Sequence, residues 1–296
     1  MQIELQGRAP DVRLDRAISV HLSHPVSRRL IKRRGTRIPI LMYHAIKEGT
    51  GTRHPYYETN TSPQVFAQQM QFLRENSYTV LSLEDALSCL EAGMTNGKCA
   101  VITFDDGNRD FFTQAYPILS KYNFAATVFL VTGLLKDDNW DHNGTDHLTW
   151  REVQELHTNG VQIGSHAVTH PELTTLDAKQ VDYEVGFSKK TIEDEIGCAV
   201  KAFSYPYAFP EADRKFTRSL KEMLIQHGYE YGVSTILGTA GSRNDRFFLP
   251  RLPVNTWDDP SLFRSKLEGG YDWLHWPQWL YKIVKRGAVP ILNWEP

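Results

Sequence analysis

Cysteine is scarce in this chain. There are three in 296 residues, Cys89, Cys99 and Cys198, an odd number with no C-x-x-C spacing. No disulfide framework is expected, and free thiols point to a reducing, cytoplasmic compartment. Long apolar runs are missing too: none approaches the roughly 18 residues that a membrane-spanning helix requires. The opening, Met1 to Arg8, lacks the apolar core of a secretory signal. Neither sign of charge dominates. A formal net charge of -2 and a pI near 6.6 give no global reason to expect a nucleic-acid partner. There is no internal repeat and no low-complexity tract. What is left is ordinary globular composition, 41% hydrophobic and 23% charged, in a chain long enough for one large α/β domain or two small ones.

Residues 1–37 read as a basic N-terminal extension, because Arg28, Arg29, Lys32, Arg33, Arg34 and Arg37 crowd its end. The simplest form is a solvated arm or a helix lying on the main domain. A contact with anionic lipid or a polymer is the alternative. Residues 38–296 read as one domain with an aromatic C-terminal tail.

Strand-like and helix-like runs alternate through that domain. Strands are expected at 38–43, 78–81, 98–104, 125–131, 161–164, 202–205, 231–234 and 247–249. Helices are expected at 62–76, after Ser82, after Thr149, and at 177–195 and 211–227. Their ends carry the matching signals. Ser82 precedes Ala86, Leu87 and Leu90 at helical spacing, Thr149-Trp150-Arg151-Glu152 has the form of a capping box, and Gly160, Gly197 and Gly228 close helices. The alternation argues for a parallel sheet. Seven or eight strands favour a closed, irregular barrel, with catalytic groups where strands run into βα loops.

The chemistry-bearing residues sit at such ends. The apolar run Ala100 to Phe104 empties into Asp105-Asp106-Gly107. Carboxylates that close raise one another's pKa unless a cation or a proton resolves the repulsion, and packing gives no reason to gather them there. Neighbouring side chains on a strand face opposite sides, so one of the pair can bind a metal while the other stands off as a base. His166-Ala167-Val168-Thr169-His170 sets two imidazoles four apart after the strand at 161–165; on one helical turn they share a face and reach one ion. With eleven histidines in the chain, that spacing alone is weak evidence. Its place after a strand puts it at the same mouth as the aspartates, and two His with one carboxylate is a known open zinc set.

At these residues the chain resembles a known family. Thr-Phe-Asp-Asp-Gly at 103–107, Ser-His-Ala-Val-Thr-His-Pro-Glu-Leu at 165–173 and Phe-Ser-Tyr-Pro-Tyr at 203–207 look like the ordered motifs of the polysaccharide deacetylases, carbohydrate esterase family 4 with its NodB-homology domain. The resemblance covers roughly residues 38–255. It implies a distorted (β/α)7 barrel and a metal-dependent hydrolase that removes N-acetyl groups from an amino-sugar polysaccharide, oligosaccharide or glycolipid. It also implies one divalent ion, zinc before others, on Asp106, His166 and His170, with Asp105 as general base.

Two departures from the family pattern matter. Many members carry an arginine in the third motif that steers the base. Here Ser204 holds that place, and Arg251, in Leu249-Pro250-Arg251-Leu252-Pro253, is the expected replacement; a surface arginine is the alternative. Many members also end in a Leu-x-x-His that supplies a general acid. This chain instead has Leu41-Met42-Tyr43-His44 at the end of its first strand, an order that looks like the circularly permuted poly-N-acetylglucosamine deacetylase branch. His44 is then the acid, with a buried structural histidine as the alternative. A backbone N–H near Tyr207 is the expected holder of an oxyanion.

Trp140 and Trp257 fall in expected loops, where they either stack on sugar rings or pack. The tail Tyr271 to Trp279 is dense in aromatics, and Lys282, Lys285 and Arg286 follow. Core packing, sugar stacking and an interfacial membrane contact all fit it, and Pro277 argues against a continuous helix. Two rivals to deacetylation stand: the same fold acting on a non-sugar amide or O-acetyl ester, and an inactive carbohydrate-binding barrel.

Overall fold

Seven parallel strands close into a barrel in the computed structural model, which describes residues 13–30, 36–49, 54–95, 97–136 and 147–287. In chain order the strands are β1 (Arg37–Ile38), β2 (Ile40–Tyr43), β3 (Tyr78–Leu81), β4 (Lys98–Phe104), β5 (Thr127–Leu130), β6 (Gln162–Ser165), β7 (Ala202–Ser204), β8 (Tyr231–Leu237), β9 (Ala240–Gly241) and β10 (Leu249–Pro253). The helices are α1 (Leu14–Ile18), α2 (His24–Leu30), α3 (Pro63–Glu75), α4 (Leu83–Ala92), α5 (Tyr116–Tyr122), α6 (Trp150–Thr158), α7 (Ala178–Ile196), α8 (Arg214–Gln226), α9 (Pro260–Leu267) and α10 (His275–Gly287). The ring runs β2-β10-β8-β7-β6-β5-β4 and closes through β2–β4; β3 adds to β4 outside it. This is the (β/α)7 barrel expected from the sequence.

The two-residue period of the strands explains the closure. Ile40, Val101, Phe129, Ala202, Val233 and Leu249 pack together as the inner core, while Leu41, Ile102, Val128, Ile163, Phe203 and Leu252 belong to the outer one under the helices. Helix α4 plugs one end of the barrel: Leu83, Ala86, Leu87 and Leu90 join the inner cluster, and Glu84 meets Lys201, just before β7, at 2.9 Å. The other end, where the strands stop, stays open for the βα loops.

The distortions have local causes. Pro39 lacks an amide donor and splits the expected strand 38–43 into β1 and β2. β10 begins at Leu249, two residues later than expected, and contains Pro250 and Pro253; its pairing with β8 shifts register between Leu249 and Arg251. Arg251 therefore sits on a strand, not after one. Helix α8 starts at Arg214 because Asp213 caps it by accepting from the Phe216 amide at 3.0 Å. Pro277 is no obstacle to α10, since it falls in the helix's first turn, where its amide needs no partner. Among the described residues no helix is long and apolar enough to cross a membrane.

Residues 14–30 form one continuous helical stretch, with a π-helical turn over Ser19–Ser23, laid against α9 and the segment after it. The Ser265 hydroxyl donates to the Ser19 carbonyl at 3.0 Å, Trp273 Nε1 donates to Ser19 Oγ at 3.0 Å, and Ser27 Oγ donates to the Gly269 carbonyl at 3.0 Å. Arg13 holds the carbonyl of Trp257 at 3.1 Å and pairs with the buried Asp258 at 3.5 Å. Lys32, Arg33 and Arg34, half of the basic cluster, lie outside the described residues, as does Trp140. The close approach rests on Gly270, where a Cβ would stand 2.3 Å from Ser265 Oγ and 2.8 Å from His24 Cβ. Gly270→Ala should therefore pry this helix away and cost about 1–3 kcal/mol. Urea denaturation and early proteolysis ahead of Arg37 measure it; an unchanged midpoint and digestion pattern would show that the packing is not tight there.

Candidate active site

Most of the site residues stand just past the end of a barrel strand, and Arg251 lies within β10. His44 follows β2, Asp105 and Asp106 follow β4, His166 follows β6 and Tyr205 to Tyr207 follow β7. Tyr43 pairs with Phe104, and the Asp105 amide donates to the Tyr43 carbonyl at 3.0 Å, so His44 and Asp105 are neighbours across two strand ends.

The adjacent aspartates part company at once. Asp105 continues the inward row of Val101 and Thr103 and is buried. Asp106 does not take the opposite strand face. Its φ of 73° swings the chain into the left-handed region, and Gly107 follows at 70°. The turn carries the Asp106 carboxylate towards the histidines. His166–Asp106 and His170–Asp106 both span 3.6 Å from Nε2 to Oδ1.

The histidine pair is not on a helical turn. Residues 166–170 form a loop in which Ala167 and His170 also have positive φ, 67° and 56°, and this loop, not a helical i,i+4 face, brings the rings to 4.7 Å. Buried Glu184 of α7 holds the loop: it accepts from the amides of Val168 and Thr169 at 2.7 and 2.9 Å and from Thr169 Oγ1 at 2.7 Å. The sequence did carry a signal for Glu184. It is an acid set in the buried stripe Val181, Val185, Ser188 and Ile192, a place where a carboxylate needs partners.

Two imidazoles and one carboxylate offer ligand atoms all within 4.8 Å of one another. His166 Nδ1 lies 2.8 Å from the Ser204 carbonyl. An N–H there directs Nε2 at Asp106, the arrangement by which a carbonyl orients a metal-binding histidine. Burial, then the neighbouring His166, hold His170 towards its neutral, ligating form against the pull of Asp106. The donor set therefore fits a divalent ion that accepts nitrogen and oxygen ligands.

Asp105 faces a different partner. The Arg251 guanidinium, fully buried, grips it with two bonds, Nη1 to Oδ1 at 2.8 Å and Nη2 to Oδ2 at 2.7 Å. Arg251 Nε donates to the Ser234 carbonyl at 3.0 Å and Nη1 to Thr103 Oγ1 at 3.3 Å. Ser204 Oγ donates to Asp105 Oδ1 at 3.2 Å and accepts from Arg251 Nη2 at 3.0 Å. Ser204, where an arginine was expected from the resemblance, is thus a bridge between the Asp105 carboxylate and the Arg251 guanidinium. Burial pushes the Asp105 pKa up, but Arg251 foremost, with His166 and His44, outweighs it and holds the carboxyl well below its ordinary value.

Tyr207, with φ of 55°, lays its exposed ring 4.5 Å from that of His170. His44 is partly exposed and near enough to bias the charge of both Asp105 and His170. Trp257 stands apart on the loop after β10. Its main chain is fixed by Asn255 and Arg13, and no contact of its ring with this group is found among the described residues.

Removing the guanidinium tests the pairing. Arg251→Met leaves a buried carboxylate alone, which should cost about 3–5 kcal/mol at neutral pH. Because the folded Asp105 titrates below its ordinary 3.8, its contribution is whole above that value and fades as the pH falls below it. In the variant the largest opposition to burial is gone and the carboxyl pKa rises, so its destabilisation should ease on acidification. Urea midpoints against pH for both proteins check this; parallel curves would mean that Asp105 does not feel Arg251.

Comparison with known proteins places the chain. A family profile described as polysaccharide deacetylase matches residues 92–232. The protein YxkH of Bacillus subtilis (strain 168), assigned to the polysaccharide deacetylases, is 31% identical over 233 residues, 78% of this chain and 76% of its own. A poly-beta-1,6-N-acetyl-D-glucosamine N-deacetylase of Staphylococcus aureus (strain MSSA476) is 22% identical over 235 residues, 73% of this chain and 78% of its own. Among solved structures, the Streptococcus pyogenes deacetylase PplD in complex with acetate superposes with a TM-score of 0.68 at 27% identity, covering 79% of this chain and 99% of that one.

Proposed function

The chain belongs to the polysaccharide deacetylase family and is a hydrolase; on that premise we propose that it removes N-acetyl groups from an amino-sugar polymer or oligosaccharide, with one divalent ion, zinc before others, on Asp106, His166 and His170. The observation that carries this is the division of two neighbouring carboxylates, Asp105 to Arg251 and Asp106 to the histidine pair.

Asp105 is the general base. A carboxylate offers about four acceptor sites. Arg251 and Ser204 occupy both oxygens in part, two bonds on Oδ1 and one on Oδ2, which leaves Oδ2 a lone pair for a proton. A carboxyl with so low a pKa is a weak base. The water it deprotonates must therefore be acidified, and a divalent ion on the three ligands supplies that chemistry along with polarisation of the acetyl carbonyl. His44, on the adjoining strand end, delivers a proton to the amine, which leaves poorly without one. Tyr207, set against the ligand His170, is the substrate-contacting side chain nearest the ligands, while Trp257 stands apart on the loop after β10. An intact base beside an intact ligand set favours an enzyme over a carbohydrate-binding barrel, since binding alone has no use for Asp105.

Acetate release from N-acetylglucosamine oligomers, with and without a chelator, tests the reading. Chelation should stop release and added zinc restore it. Turnover of acetyl esters with none of N-acetyl sugars would move the assignment to the esterase rival. His44→Ala should lower turnover of the amide by about 10²–10⁴-fold, and that of an ester with a good leaving group far less. Equal losses on both would make His44 a structural or substrate-binding residue.

A further inference from the structure

Helix α10 packs with its polar side inward. His275 Nε2 lies 2.9 Å from a Glu211 carboxylate oxygen. Gln278 accepts from the Leu237 amide at 3.3 Å and donates to the Thr235 carbonyl at 3.2 Å. The Lys282 amine is buried with no hydrogen-bond partner among the described residues. The outward side is apolar. Trp276, Leu280 and Val284 fall one turn apart on one stripe with Tyr281 beside them, each 57–68% exposed. A helix on the surface of a globular domain ordinarily shows the opposite arrangement.

A second element extends this face. The helical stretch 14–30 exposes Leu22 and Val26, again one turn apart. Between it and α10 lies an open cavity of about 1160 Å³, whose apolar lining includes Ile18, Leu22, Val26, Ile236, Trp273 and Trp276. Apolar surface gathered in one place on this scale marks an interaction site.

The charge around it is mainly positive, although Glu211 and Asp272 also line the cavity. In the sequence, residues 16–30 and 275–287, which supply most of these helices, contain six Lys and Arg and no Asp or Glu, while the rest of the chain has 27 basic against 35 acidic residues. Arg28 and Arg29 are exposed on α2, and Arg37 and Arg243 line the cavity. Asp272 and Glu268 neutralise part of this, through Arg37 at 3.1 Å and Arg28 at 3.7 Å.

We propose that this face docks on an anionic lipid bilayer, with α10 lying along the headgroup layer, its aromatic and aliphatic stripe inserted and the basic residues on the lipid phosphates. An aromatic-aliphatic stripe flanked by cations matches the layered polarity of such a surface. Trp and Tyr suit its headgroup depth, with a ring in the apolar layer and a polar edge in the wet one. A second copy of the chain is a poorer occupant, because a two-fold contact would set the same cations against each other. The proposal is independent of the reaction assigned above.

Co-sedimentation of the full chain with vesicles tests it. Vesicles of mixed phosphatidylglycerol and phosphatidylcholine should bind, pure phosphatidylcholine should bind more weakly, and added salt should release the protein. The triple variant W276S/L280S/V284S changes only exposed side chains and should keep its circular dichroism and melting temperature while vesicle affinity falls about tenfold or more. R28E/R29E should weaken binding to the anionic vesicles while leaving the residual binding to phosphatidylcholine. Absence of binding to anionic vesicles overturns the proposal. So does binding that neither variant changes, and so does a dimer in solution that the triple variant dissociates and that ignores vesicles.

Discussion

The left-handed turn at Asp106 is the constraint on which the rest of the site depends. Two carboxylates one residue apart at the end of a buried strand repel each other, and Asp106 misses the histidines if the chain continues the strand. With a φ of 73° the chain leaves the strand between them. Such a conformation costs a non-glycine residue about 1–3 kcal/mol, so it persists only where surrounding contacts hold it. Here those contacts are opposite in kind. Asp105 is drawn down by a guanidinium and Asp106 out to two imidazoles. Of the six non-glycine residues with positive φ among those described, four are Asp106, Ala167, His170 and Tyr207, so the strain of the molecule is concentrated at this mouth.

Beneath that turn the barrel carries an unusual filling. Beyond the apolar side chains of Val101, Phe129 and Ala202, the residues Thr103, Asp105, Ser204, Ser234 and Arg251 form a polar layer closed to water. Burying an arginine and an aspartate together is weak as a stabilising device, since desolvation consumes most of the attraction. The return is in orientation. Five donors of one planar group fix the carboxylate of Asp105, Thr103, Ser204 and the Ser234 carbonyl in one geometry, and Asp105 is left with a single direction in which to take a proton.

The legible part of this protein was the part written in short-range pattern. Alternation of apolar runs gave the barrel, and Thr149, Asp177, Gly160 and Gly197 marked helix ends within a residue or two because capping is local chemistry. Asp105, Asp106, His166 and His170 stood out because charged groups at strand ends have no packing role. Less legible was how they meet. Strand alternation suggested why the aspartates diverge and a helical face suggested how the histidines converge, yet both depend on positive φ angles held by tertiary contacts, among them Glu184 on a helix that follows the loop. Arg251 was expected near the base from a gap in the motif pattern, but its place within a strand was hidden by two flanking prolines. The polarity of α10 was hidden by Pro277, which reads as a helix breaker until the helix is seen to begin at His275.

Metal content measured side by side with turnover in Asp105→Asn and Asp106→Asn addresses the central division most directly. Both substitutions remove one charge and keep the shape of the side chain, and they differ by a single position. The account predicts that Asp105→Asn binds zinc as the parent does and turns over no acetylated substrate, whereas Asp106→Asn loses both. Loss of zinc from Asp105→Asn with zinc kept by Asp106→Asn would contradict it, because the turn between the two residues would then not separate base from ligand.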